Sequence, residues 1–251
     1  MEPKKPIIIA NWKMKLGLNE AGGLAKELRG VSLPGVELVL CPSFVSLQSV
    51  GEILRGSKLK LGAQDVFWET AGAYTGEISA PQLREIGCEF VIVGHSERRK
   101  YFQETDDNVH QKIKASLAEG LTPIVCVGET FEQRQQGATD YILIKQVTAA
   151  LEGIEFRSDQ QLIVAYEPVW VIGTGQAIEP PEAQNAHRVI RQTLIDLFPL
   201  ELVNDNTRIV YGGSVDSSNV SAFSQLENTD GVLVGGASLQ ADEFTDLIKN
   251  F

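Results

Sequence analysis

The chain has 251 residues, with 33 Asp and Glu against 22 Lys and Arg, and a formal net charge of −11. That sign excludes the broad basic face that nucleic-acid binding needs, and taken alone it also disfavours phosphorylated ligands. At 43% hydrophobic and 22% charged residues, the composition is that of a globular chain rather than a disordered, collagenous or membrane protein.

The first predicted strand, Ile7-Ile8-Ile9-Ala10, follows a start from Met1 to Pro6. Its apolar stretch is shorter than the roughly 7–15 residues of a secretory core, so a cytoplasmic setting is expected. No apolar run approaches the ~18 residues of a membrane span. Further runs lie at 36–41, 59–63, 90–93, 124–127, 162–166, 209–211 and 232–234. Six of the eight are nearly continuous rather than alternating, as suits strands buried on both faces of a parallel sheet. The run at 59–63 alternates and carries the weakest signal.

Between the runs lie helical stripes: Val109, Ile113 and Leu117; Leu143, Val147 and Leu151; Ile190, Leu194, Leu197 and Phe198. Start signals at Asp106, at Pro180-Pro181-Glu182 and at Asp216-Ser217-Ser218 open helices predicted over 107–119, 182–198 and 217–227. From one strand start to the next is 23 to 47 residues, room for one crossover helix each time. Eight βα units with no linker predict an α/β fold, a (β/α)8 barrel forming a single domain over 1–251. A doubly wound sheet satisfies the same periodicity.

Polar residues follow the strands. Asn11-Trp12-Lys13 comes after the first, Gln64-Asp65 after the third, Gly94-His95-Ser96-Glu97 after the fourth and Glu167-Pro168 after the sixth. In a parallel barrel the C-terminal strand ends share one face, where active sites of this architecture lie. Lys13, His95 and Glu167 can therefore meet at one pocket. A strand-end carboxylate is most often a solvated or ion-paired group. Glu167, however, follows five apolar residues, and apolar walls make a carboxylate a better base near neutrality. His95 opens a turn after a buried strand, where nearby N–H donors favour the neutral imidazole. His110 and His187 fall in predicted helices and read as surface or partly buried residues. No His, Asp and Glu set has metal-ligand spacing.

Gly212-Gly213-Ser214 and Gly235-Gly236, after the last two strands, expose backbone N–H groups near helix starts, a phosphate-binding arrangement that barrels often build there. Lys13 would face them. The apolar, glycine-ended stretch from Pro168 to Gly175 suits a lid that excludes water, or simply packs on the barrel. Cys41, Cys88 and Cys126 are odd in number and widely spaced, so reduced thiols are expected, Cys126 as a structural one.

Taken together, Asn11-Trp12-Lys13-Met14, Gly94-His95-Ser96-Glu97-Arg98-Arg99, Ala165-Tyr166-Glu167-Pro168-Val169-Trp170, Ile172-Gly173-Thr174-Gly175, Tyr211-Gly212-Gly213-Ser214 and Gly235-Gly236 resemble the triosephosphate isomerase family in order and spacing. The resemblance implies a TIM barrel that interconverts dihydroxyacetone phosphate and D-glyceraldehyde 3-phosphate through an enediol(ate), without metal or organic cofactor. It implies Glu167 as base, neutral His95 as electrophile, and Lys13, supported by Asn11, stabilising negative charge. Gly173, Ser214, Gly235 and Gly236 would hold the phosphate by backbone amides, with Glu97 in support. A lid over 168–178 would close on the substrate, and the loop 65–79 would reach a second subunit of a homodimer, with Thr75 near its tip. Three positions depart from the family: Val171 and Ile178 stand where small residues are usual, implying altered lid rates, and Asp65 stands where Asn is common, implying pH-sensitive subunit contacts. A Schiff-base aldolase would want a lysine where Glu167 stands, and a non-enzymatic barrel leaves the Lys13, His95 and Glu167 set unexplained.

Overall fold

The computed structural model describes residues 4–174 and 176–251; the first three residues and Gly175 of the predicted lid lie outside it. Eight parallel strands close into a barrel in sequence order: β1 (Ile7–Asn11), β2 (Glu37–Cys41), β3 (Lys60–Ala63), β4 (Phe90–Val93), β5 (Thr122–Val127), β6 (Leu162–Tyr166), β7 (Thr207–Tyr211) and β8 (Gly231–Val234). β8 returns to β1 through Ile7↔Gly231 to Ala10↔Val234, so the sheet has no edge and the doubly wound alternative falls.

The continuous apolar runs follow from this closure. Alternate strand residues point inward, Ile7, Ile9, Val39, Ile92, Ile124, Ile163 and Val210 among them, and fill the barrel. Their neighbours Ile8, Leu38, Val91, Val125 and Val164 face outward into a second core beneath the helices. β3 gives the weakest signal for a physical reason. Its inward position is Gly62, where a Cβ would stand 2.6 Å from Cys41 Sγ, and Lys60 reaches off the barrel floor to Glu89 at 2.8 Å.

Two predicted helices are found close to their expected bounds. The helix Asp106–Ala118 is capped by Thr105, whose hydroxyl accepts from the Asn108 N–H. The helix Pro180–Leu197 starts two residues earlier than predicted, because both prolines fit its first turn. The third is much shorter than expected, Val220–Ser224 rather than 217–227. Side-chain bonds from the Ser218 N–H to Asp216 Oδ1 (2.9 Å) and from the Asp216 N–H to Asn219 Oδ1 (3.0 Å) hold the preceding residues in turns. Among the described residues no helix is long and apolar enough to cross a membrane.

The segment from Asp65 to Ser79 carries neither helix nor strand, only an isolated bridge between Phe67 and Ser79, and residues 71–77 are all exposed. Its root is a buried four-charge cluster. Lys112 Nζ lies 2.7 Å from Asp65 Oδ1 and 2.9 Å from Glu104 Oε2, while Arg98 binds Asp65 Oδ2 at 2.9 Å and Glu104 Oε2 at 2.5 Å. Burial outweighs both cations at Asp65 and lifts its pKa to about 6, whereas Glu104 is held below the ordinary carboxylate range.

A carboxyl whose pKa is raised on folding costs stability above its folded pKa, and the cost disappears as pH falls toward the unfolded value. Asp65→Asn should therefore raise stability at pH 7.5 by about 1–3 kcal/mol, since Arg98 and Lys112 keep Glu104 as partner. The gain should shrink as pH falls from about 6 toward 4. Thermal melts at pH 7.5 and 4.5 test it. A lower melting temperature for Asp65→Asn at pH 7.5 would show that the ion pairs outweigh the burial.

Candidate active site

The site is assembled at the C-terminal ends of the strands, starting with Lys13 just past β1. Its backbone takes φ 52°, a conformation rare for L residues. Asn11 Oδ1 accepts the Lys13 N–H at 3.0 Å, Gln64 Nε2 donates to its carbonyl at 2.9 Å, and the ammonium meets Glu97 Oε1 at 2.8 Å.

Past β4, Gly94 turns the chain with φ 73° and places His95 as the cap of the helix Ser96–Phe102. His95 Nδ1 accepts the Glu97 N–H at 3.2 Å. A nitrogen that accepts carries no proton, so the neutral ring presents Nε2–H to the pocket. That fixes the imidazole as a donor toward whatever occupies the cavity.

Glu167, past β6, is only 2% exposed. Its Oε2 accepts the Ser96 N–H at 2.9 Å. Its Oε1 lies 3.1 Å from His95 Nε2 but without hydrogen-bond alignment, and makes no hydrogen bond among the described residues. A buried carboxylate oxygen left in this state calls for an explanation, and a functional role supplies one. Its slot is lined by glycine. A Cβ on Gly128 would stand 1.7 Å from the Glu167 carbonyl oxygen, and one on Gly212 would stand 3.0 Å from Glu167 Cγ.

One cavity of about 680 Å³ is lined by Asn11, Lys13, His95, Glu167, Gly173, Ser214, Gly235 and Gly236. Of the predicted site residues only Glu97 stands off its wall, touching it through Lys13. Gly236 begins a 3₁₀ turn, Gly236–Leu239, whose first N–H groups have no partner within the turn itself. The chain's negative charge does not by itself bar an anionic ligand, because the Lys13 ammonium and the start of this turn both stand on the cavity wall. Among the described residues no group of three or more His, Cys, Asp or Glu is placed to hold a metal ion.

The segment expected to act as a lid runs from Pro168 through a 3₁₀ turn at Val169–Val171, with both Val171 and Ile178 buried. At its near end Trp170 Nε1 donates to Glu129 Oε1 at 3.1 Å, and the Arg134 guanidinium lies 4.6 Å from the Trp170 ring centre. At the end of the 3₁₀ turn Ser214 Oγ donates to the Val171 carbonyl at 3.1 Å, and at the far end of the segment the Ile178 N–H points to Tyr211 Oη at 3.4 Å.

Glu129, to which the sequence assigns no role, does work here. Glu129 is fully buried and accepts from the Tyr166 hydroxyl as well as Trp170, and burial pushes its carboxyl pKa up. Only the pairing of Val127 with Tyr166 across β5 and β6 brings Glu129 to them, so no local pattern marks it. His187, expected at or near the surface, is completely buried with a pKa near 3, as burial disfavours its charged form. Its position was readable after all, since Ala183, His187, Ile190 and Leu194 share one helical stripe. All three cysteines are free and buried, and burial raises each thiol pKa, that of Cys88 to about 12. None is poised as a reactive thiolate.

Comparison with known proteins agrees with this geometry. The triosephosphate isomerase family model matches residues 6–251. The chain is 45% identical over 248 residues to the triosephosphate isomerase of Endomicrobium trichonymphae, covering 98% of each protein. It is 46% identical over 250 residues to that of Carboxydothermus hydrogenoformans, again covering 98% of each. A match of this length and identity, on a closed eightfold barrel, leaves one conclusion: the chain belongs to the triosephosphate isomerase family.

Proposed function

We propose that Glu167, His95 and Lys13 carry the family's reaction in this chain, the interconversion of dihydroxyacetone phosphate and D-glyceraldehyde 3-phosphate in glycolysis. The observation that carries the reading is the buried Glu167 Oε1, without a hydrogen bond among the described residues and 3.1 Å from His95 Nε2, in the cavity that Lys13 and the glycine turns also line. Glu167 Oε1 takes the proton from the carbon beside the carbonyl. The electron pair moves into an enediolate, and the acid so formed returns the proton to the neighbouring carbon. His95 Nε2–H lies on the carbonyl oxygen as charge develops, and moves protons between the two oxygens. Lys13 balances the negative charge of enediolate and phosphate, with Asn11 and Glu97 fixing its backbone and its ammonium.

Gly173, Ser214, Gly235 and Gly236 hold the phosphate through their amides. The lid over 168–178 keeps water from the enediolate, whose exposed form would eliminate phosphate. None of these steps draws on a metal or organic cofactor. The deciding experiment is isomerase activity of wild type against Glu167→Gln.

The working unit is a homodimer. Large exposed apolar side chains follow four neighbouring strands in turn: Met14 after β1, Val45 after β2, Tyr74 after β3, and Tyr101 and Phe102 after β4. They follow adjacent strands, and the exposed residues 71–77, Thr75 among them, belong to the same series, so together they form an apolar surface of the kind that marks a protein interface. Sedimentation equilibrium at micromolar concentration should return twice the 27.4 kDa chain mass. A species of 27.4 kDa would overturn the dimer. Three free cysteines fit a reducing cytoplasm.

A further inference from the structure

We propose that Gln64 is a positioning residue that sets the Lys13 ammonium in the site, a role that rests on the reading of Lys13 given above. Lys13 lies in the left-handed region at φ 52°, where an L side chain stays only if its surroundings hold it. Both of its backbone polar groups are held by side chains rather than by the sheet. Asn11 Oδ1 takes the N–H at 3.0 Å, and Gln64 Nε2 gives a hydrogen bond to the carbonyl at 2.9 Å.

Backbone pairing does not reach this point. β1 and β2 pair only as far as Asn11↔Cys41, and β2 meets β3 only at Val39↔Lys60 and Leu40↔Leu61. The Gln64 side chain closes the gap: the same Nε2 that binds the Lys13 carbonyl also donates to the Cys41 carbonyl, again at 2.9 Å. Both partners are carbonyl oxygens, so chemistry alone requires the NH2 end of the amide to face them. With both protons spent, Gln64 ties the peptide after Lys13 to the end of β2, whose Cys41 carbonyl also accepts the Trp12 N–H at 3.1 Å. Remove that tie and the peptide plane following Lys13 can rotate, letting the residue relax out of its strained conformation. The ammonium stands at the end of a four-carbon stem, so a small change in backbone direction becomes a displacement of an ångström or more at Nζ.

The test is a double-mutant cycle of wild type, Gln64→Ala, Lys13→Ala and the pair, read as kcat/KM alongside melting temperature. Gln64→Ala should lower kcat/KM by about 10- to 100-fold, the scale of an ångström misplacement. Gln64→Glu, which keeps the shape but loses the donors, should show the same loss. In the Lys13→Ala background the same change should cost much less, with the ratio of the two losses above about three. A ratio at or below about three, or a loss below threefold in the wild-type background, would mean that Gln64 acts elsewhere or only on the fold, and the proposal falls. Where turnover of Lys13→Ala lies below detection, calorimetric affinity for inorganic phosphate closes the cycle. Wild-type kcat/KM in Lys13→Ala would instead overturn the reading of Lys13 itself.

Discussion

Glu167→Gln should lower kcat by about three to four orders of magnitude and leave KM nearly unchanged. A positioned general base contributes on the order of 10²–10⁴ in rate, and here the variant removes the basic oxygen altogether. The fold has little reason to respond. Gln is isosteric, its carbonyl oxygen can still accept the Ser96 N–H, and the oxygen replaced by NH2 makes no hydrogen bond to lose among the described residues. KM should hold because Glu167 is not among the amide and ammonium groups proposed to grip the phosphate. Glu167→Asp is the companion, drawing the carboxylate back by one methylene, roughly 1 Å. Loss there should be about 10²-fold, since the base survives but no longer reaches the carbon. Steady-state kinetics in both directions, together with exchange of the substrate proton into deuterated solvent, read these effects. Turnover of Glu167→Gln within tenfold of wild type, with exchange intact, would move the base to another residue.

How far this site could be read from the chain depends on how local each contribution is. The barrel was legible because closure buries both faces of every strand, and β-branched runs such as Phe90-Val91-Ile92-Val93 record that directly. β3 was faint because its inward position is a glycine. That Lys13, His95 and Glu167 converge on one cavity was legible too. They stand next to strand ends, and parallel topology brings all such ends to one rim.

What was not legible is the layer that holds those side chains. Glu129 matters only where Tyr166 and Trp170 meet it, and Gln64 only because Lys13 turns left-handed beside it. The helix predicted over 217–227 fell short for the same reason, as Asp216 and Asn219 spend their side chains on turns that helical periodicity cannot register. Sequence pattern reports burial well and hydrogen-bond partners across strands poorly.

Gly128→Ala should be the most damaging single methyl group in the molecule. The added Cβ would stand 1.7 Å from the Glu167 carbonyl oxygen and 2.6 Å from its carbonyl carbon. Both are backbone atoms, so no side-chain rotation relieves the contact, and the ends of β5 and β6 must part. They resist, because the Glu167 N–H is bound to the Val127 carbonyl at 2.7 Å and Gln146 Oε1 holds the Gly128 N–H at 2.7 Å. Overpacking of this kind costs about 3 kcal/mol or more, and for a chain of this size that is roughly 6–12 °C in melting temperature. The structural cost is also aimed at the proposed base, so kcat per folded molecule should fall by about 10²-fold as Glu167 shifts from its slot. Gly231→Ala supplies the control. Its Cβ would lie 1.9 Å from the Ile7 carbonyl oxygen, as severe a clash, but at the barrel floor, away from the catalytic cavity. Stability should drop comparably there while the folded fraction keeps its turnover. Melting curves and kcat corrected for folded protein separate the two variants. Wild-type kcat in folded Gly128→Ala would show that the position of Glu167 is set by something other than the glycine behind it, most directly by the Ser96 N–H that binds its carboxylate.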